Sequence, residues 1–167
     1  MVVVAARNAR SGGHRLNARR VVIASDHAGF ELKQTLVAEL QALGCEAVDL
    51  GPADTASVDY PDFADRLAEA IAQDGADTGV LVCGTGIGIS IAANRHRHIR
   101  AGLAHDVTSA RLMREHNDAN VLVLGGRLIG PETARDCLKV FLQTSFEGGR
   151  HQRRVDKLSP PSGPRPA

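Results

Sequence analysis

Val80–Ser90 reads VLVCGTGIGIS: an apolar run that ends on Cys83 and is followed by glycines at every second position, Gly84, Gly86 and Gly88. A continuous β-branched run without polar alternation is the pattern of a strand covered on both faces, the usual condition of a parallel sheet. The glycines that follow predict a tight passage from strand into helix, with the backbone free to approach a ligand closely. In an open α/β sheet, ligands bind beyond the carboxyl ends of the strands. Cys83 and its loop are therefore expected to face such a crevice.

The flanking sequence repeats the strand–helix alternation. VVIAS (21–25) predicts a buried strand, and the helix predicted after it (29–44) carries Leu32, Leu36, Leu40 and Leu43 at helical spacing with Gly44 as its stop. A second strand is predicted over 45–51, a helix from about Pro61, the third strand over 78–84 and a small-residue helix after the glycines. Strands over 99–105 and 120–126, with helices over 108–116 and 131–146, complete five strand–helix units. Five such units imply an α/β fold with one parallel sheet covered on both faces.

Composition removes several function classes. The chain has 167 residues, enough for one domain with a substantial core, and no apolar run reaches the roughly 20 residues of a membrane-spanning helix. Aromatic residues make up 3% and Trp is absent, which disfavours base stacking. The net charge of +1 hides Arg-rich ends; residues 21–148 hold ten basic residues against 18 acidic ones, so no basic stripe for nucleic acid is expected across the body. Cys45, Cys83 and Cys137 are too few and scattered for a disulfide framework, and a reducing, cytoplasmic setting is expected. Residues 1–20, Arg-rich and acid-free, are expected to form a disordered extension before a single domain at 21–158; the Pro-rich 159–167 is expected to be a disordered tail.

The glycine loop fails three familiar phosphate motifs. A dinucleotide fingerprint starting at Gly84 needs glycine where Ile89 stands, a P-loop needs a Lys followed by Ser or Thr, and a cysteine phosphatase needs Arg at 89. A cysteine among free backbone N–H groups, by contrast, sits where a thiolate is favoured, and the same N–H groups suit a reaction that develops negative charge on oxygen. Thr85 offers a hydroxyl for proton relay or for capping the helix. Cys45 and Cys137 read as small core hydrophobes.

Other polar residues gather at predicted element ends. Asp26 and His27 follow the first strand and share the Cys83 crevice, although Asp26 is equally suited to cap a helix. His116 and Asn117 end the fourth helix, on the side opposite the strand carboxyl ends, so His116 would reach a Cys83 crevice most easily across a symmetric dimer. Arg150 and Arg154 stand four residues apart, and if that segment is helical both forks point one way, as a phosphate requires; Arg127 is positioned to join them. The plain alternative is a solvated basic tail. His96, His98 and His105 read as solvated rather than as metal ligands.

SDHAGFELK, DYPDFA, CGTGIGISIAANR, REHNDANVLVLGGR and FEGGRHQRRV, taken in order, resemble ribose-5-phosphate isomerase B and the galactose-6-phosphate isomerase subunits, from about Val21 to Leu158. The resemblance implies a Rossmann-like three-layer α/β/α sandwich with a five-stranded parallel sheet, working without metal or cofactor as an aldose–ketose isomerase. It implies Cys83 as catalytic base, Thr85 as proton carrier between the two oxygens, and His116 as the ring-opening acid/base with Asp26 nearby. Gly84, Gly86, Ile87 and Gly88 fall on the loop that stabilises the enediolate. His27, Asn117, Arg127, Arg150 and Arg154 fall on substrate and phosphate contacts, in a site shared between the subunits of a homodimer or homotetramer. Relatives that use a Glu further along the loop find Ile89 and Ser90 here, so the chain is of the cysteine kind. Ribose 5-phosphate is the leading substrate; allose, galactose and tetrulose phosphates, or a non-catalytic sugar-phosphate sensor, are the alternatives.

Overall fold

The computed structural model describes residues 19–73, 76 and 78–158. The extension and tail expected to be disordered lie outside the described residues, save Arg19 and Arg20. Strands β1 (Arg20–Ser25), β2 (Glu46–Asp49), β3 (Thr78–Cys83), β4 (Ala101–Leu103) and β5 (Val121–Gly125) form one sheet, all pairs parallel, in the order β2-β1-β3-β5-β4. Helices α1 (Phe30–Ala42), α2 (Tyr60–Gln73), α3 (Ile87–Ala93), α4 (Val107–Asn117) and α5 (Pro131–Gln143) follow the strands in turn.

The strand residues alternate between two cores. Val21, Ile23, Val80, Val82, Leu122 and Leu124 join Leu36 and Leu40 of α1, Met113 of α4 and Leu138 and Phe141 of α5 on one face. Val22, Ala24, Leu81, Cys83, Val121 and Val123 join Phe63 and Leu67 of α2 and Ile89 of α3 on the other. A period of two within buried strands thus sorts side chains into two layers, which is why the strands read as unbroken apolar runs. The strand order reverses between β1 and β3, which makes the crevice beyond their carboxyl ends the switch point of the sheet.

Local chemistry sets the element ends. The Asp106 carboxylate accepts the Ser109 N–H at 2.8 Å and caps α4, while Pro131 opens α5. The predicted strand at 99–105 shortens to three residues because it lies at the sheet edge, where the Asn94 side chain pairs with both backbone groups of Ala101. A 3-10 turn, Gly149–His151, and a further helix, α6 (Gln152–Leu158), follow α5. Sequence periodicity missed α6 because it buries little more than Val155.

Candidate active site

At the carboxyl edge of the sheet, the chain folds over β3 twice. The His27–Gly29 turn lies directly on it: a Cβ on Gly29 would fall 2.5 Å from the Val82 carbonyl oxygen. The Asp26 N–H donates to that same oxygen at 3.1 Å, and the buried Asp26 carboxylate accepts the Gly29 N–H at 2.9 Å. Asp26 therefore caps the turn. The β5 loop closes from the other side, with Gly126 N–H donating to the Cys83 carbonyl at 2.8 Å and Arg127 N–H to that of Gly84 at 2.9 Å. The Arg127 side chain runs across Gly84, its Nε 3.5 Å from where a Cβ would stand.

Cys83 is 4% exposed. Its Sγ accepts the Gly86 N–H at 3.1 Å, so this loop amide turns toward the sulfur. Gly86 adopts φ +79°, and a Cβ there would lie 2.4 Å from Leu103 Cδ1 and 3.2 Å from the Leu124 backbone, so the loop's shape requires glycine. Thr85 is exposed, and its Oγ1 accepts the Ile87 N–H at 3.3 Å. His27 Nδ1 lies against both backbone groups of Val58, 3.2 Å from its nitrogen and 3.3 Å from its carbonyl oxygen, which holds the ring beside the segment that leads into α2. Tyr60 was overlooked in the sequence: its ring lies on the loop, with Cζ 2.7 Å from a Cβ built on Gly88. The segment DYPDFA carried it, but an aromatic at a helix start gives no periodic signal.

The remaining candidates occupy the opposite edge. Since α4 returns antiparallel to the strands, His116 and Asn117 lie beside the strand amino ends, and the Glu147 N–H donates to the Glu115 carbonyl there at 3.0 Å. β3 alone separates the edges by roughly 15 Å, at about 3.3 Å per residue. His116 cannot exchange a proton with its own Cys83. Half-buried His116 stacks on buried His151, with centroids 4.3 Å apart and planes 10° from parallel. The Arg150 Nε–H donates to His151 Nε2 at 3.4 Å. Burial, followed by the neighbouring His116 and Arg150, lowers the His151 pKa below the ordinary imidazole value. Arg150 and Arg154 are exposed on the 3-10 turn and α6.

His116, Glu147 and His151 bring three ligand atoms within 4.8 Å of one another. Nearly parallel rings, however, cannot both hold one ion in their planes, so the group as placed is not a chelate. His96 and His98 are not solvated as expected: His96 Nε2 meets Asp65 at 2.7 Å and His98 Nε2 meets the Ala68 carbonyl at 2.8 Å, which docks their turn onto α2. A cleft of about 690 Å³ lies between the α3–β4 turn and α4, lined by Arg95, Ile99, Arg100, Gly102, Met113 and Asn117 among others. Cys83 does not line it, so this volume belongs to the half that carries Asn117 and not to the glycine loop. No helix among the described residues is long and apolar enough to cross a membrane.

The sequence profile of the ribose/galactose isomerase family matches residues 21–158. Ribose-5-phosphate isomerase B of Escherichia coli is 43% identical over 141 residues, 84% of this chain and 95% of that protein. Among solved structures, a ribose 5-phosphate isomerase from Thermotoga maritima is 51% identical with a TM-score of 0.82, over 84% of this chain and 97% of that one. Ribose-5-phosphate isomerase B of Mycoplasma genitalium, solved with bound ribulose-5-phosphate, is 41% identical with a TM-score of 0.80, over 83% and 93%.

Proposed function

The chain belongs to the ribose/galactose isomerase family and is a sugar-phosphate isomerase, and we propose that it interconverts ribose 5-phosphate and ribulose 5-phosphate with Cys83 as base. The observation that carries this reading is the Gly86 N–H aimed at the Cys83 sulfur, on a glycine loop at the carboxyl end of β3. His116 of a second copy opens the furanose by returning a proton to the ring oxygen as the anomeric hydroxyl loses its own. Cys83 then removes the C2 proton, and the C2–H electron pair forms the C1–C2 double bond as charge passes to the O1 oxygen, held by the loop amides. Thr85 carries a proton between O1 and O2, and Cys83 returns its proton to C1. One C–H bond breaks and one forms, with no external oxidant or reductant.

The phosphate is held by Arg150 and Arg154 of the second copy, together with His27 and Arg127 at the glycine loop. A homodimer, or a tetramer built from it, is the smallest assembly in which these groups meet. Three free thiols fit a reducing cytoplasm, and no nucleic-acid role is assigned.

The 4% exposure of Cys83 favours a second reading, a packed structural cysteine in a protein that binds sugar phosphates without turnover. Deuterium exchange from solvent into ribulose 5-phosphate separates the two. Cys83→Ala is expected to lower exchange by roughly 10²–10⁴-fold, the usual worth of a positioned base, with Cys45→Ala close to the parent. Retained exchange in Cys83→Ala would remove the cysteine from the mechanism.

A further inference from the structure

Asp118 follows the His116–Asn117 pair directly and is the one non-glycine residue with positive φ among the described residues, at φ 44° and ψ 45°. It occupies the position where a helix ends in the left-handed conformation, with Asp118 N–H donating to the Arg114 carbonyl and Ala119 N–H to that of Met113. Glycine is the residue that such a helix end favours. What the aspartate adds is a clamp. Its Oδ1 accepts from Arg114 Nη1 and its Oδ2 from Arg100 Nη2, both at 2.9 Å. The same two side chains seize the backbone: Arg100 Nε–H donates to the Asp118 carbonyl at 2.9 Å, and Arg114 Nη1 to that of Ala119 at 2.5 Å. Arg114 also reaches the Thr144 carbonyl at 3.3 Å and lies over the Phe141 ring, while Arg100 opens onto β4.

One carboxylate thus ties the end of α4 to the edge strand and to the end of α5. A helix terminus needs none of this, and exposed helix ends ordinarily fray. We propose that Asp118 is a positioning residue for sugar ring opening: the Arg100–Asp118–Arg114 clamp holds the last turn of α4 so that His116 and Asn117 project at a set angle into the second copy's site. The inference rests on the proposed role of His116.

The test uses the full chain and two rates. Turnover of ribose 5-phosphate requires ring opening; ribulose 5-phosphate cannot cyclise through its esterified C5 oxygen, so solvent deuterium uptake at its C1 reports the enediolate step alone. In Asp118→Gly, which removes the two carboxylate bonds of the clamp but suits the backbone, the ratio of turnover to exchange is expected to fall roughly tenfold, since small misplacements of reacting groups cost that much or more. Asp118→Asn, which keeps the shape and loses the charge, is expected to fall less, and it decides the matter should the glycine variant not fold. His116→Ala is run beside them and is expected to lower the same ratio. An unchanged ratio in the Asp118 variants while His116→Ala lowers it overturns the clamp's role alone, as does an equal loss of both rates. An unchanged ratio in His116→Ala overturns the ring-opening reading and the clamp's role together.

Discussion

The two edges of the sheet are built from different materials. At the carboxyl edge, Asp26, Cys83, Gly84 and Gly86 are buried, and the groups are set by backbone: N–H donors, a glycine with positive φ, a turn pressed onto β3. At the amino edge, His116 ends α4 half-buried, while Arg150 and Arg154 are exposed on the 3-10 turn and on α6, which buries little more than Val155. The first edge is pre-organised to stabilise charge but has little cationic provision besides Arg127. The second carries Arg150 and Arg154 and the His116–His151 stack. In the proposed reaction neither edge suffices alone, and roughly 15 Å of sheet lies between them. On the proposed function, the chain divides one site into a half set by backbone and a half set by side chains, to be joined across a two-fold axis.

The most severe way to break that comparison is complementation. Cys83→Ala and His116→Ala, each expected to be nearly inactive toward ribose 5-phosphate, should recover activity when unfolded and refolded together. A random mixture places one intact site in each heterodimer, roughly a quarter of all sites. No recovery, with mixed dimers demonstrated, would mean that each chain works alone.

Next in size is the rigidity of the carboxyl edge. Gly86→Ala must accept a left-handed Cβ against Leu103 and the Leu124 backbone. The expected cost is roughly 2–4 kcal/mol, or about 5–15 °C in thermal midpoint, with loss of turnover even in the folded fraction. A variant with parental stability would show the loop to be adaptable after all.

Arg154→Met probes the opposite half. Exposed and on a short helix, it should leave the thermal midpoint within a degree or two while raising KM for ribose 5-phosphate about ten- to a hundredfold, the worth of one charge-assisted phosphate contact. A fall in kcat at unchanged KM would place the phosphate elsewhere.

The smallest effect concerns His151. Its folded pKa lies below the unfolded value of 6.5, so the unfolded chain takes up a proton first as pH falls. Its contribution to stability is intact above about pH 6.5 and is lost as pH drops toward the folded pKa. Thermal midpoints measured from pH 7.5 to 5 should decline less steeply in His151→Gln than in the parent. Equal slopes would show that protonation of His151 is not linked to folding.

Much of this was legible from spacing alone. The β-branched runs at 21–25 and 120–126, the leucine spacing of 29–44 and the position of Pro131 each report a local rule, and local rules survive in the fold. So did the placement of His116 at the far end of α4, which follows from strand–helix alternation. Less was legible where polar side chains found distant partners. Asp26, suited to capping or to chemistry, caps the His27–Gly29 turn; His96 and His98, which read as solvated, pin a turn through Asp65 and Ala68.

Sequence by itself determined the parallel α/β sandwich, the family and the glycine-flanked cysteine, because periodicity and backbone freedom are properties of neighbouring residues. Only the tertiary structure decided that Gly86 turns its N–H onto the sulfur, that Tyr60 lies on the loop, and that Asp118 is gripped by Arg100 and Arg114. Those contacts join segments that only the sheet brings together, and no spacing along the chain encodes a distance across it.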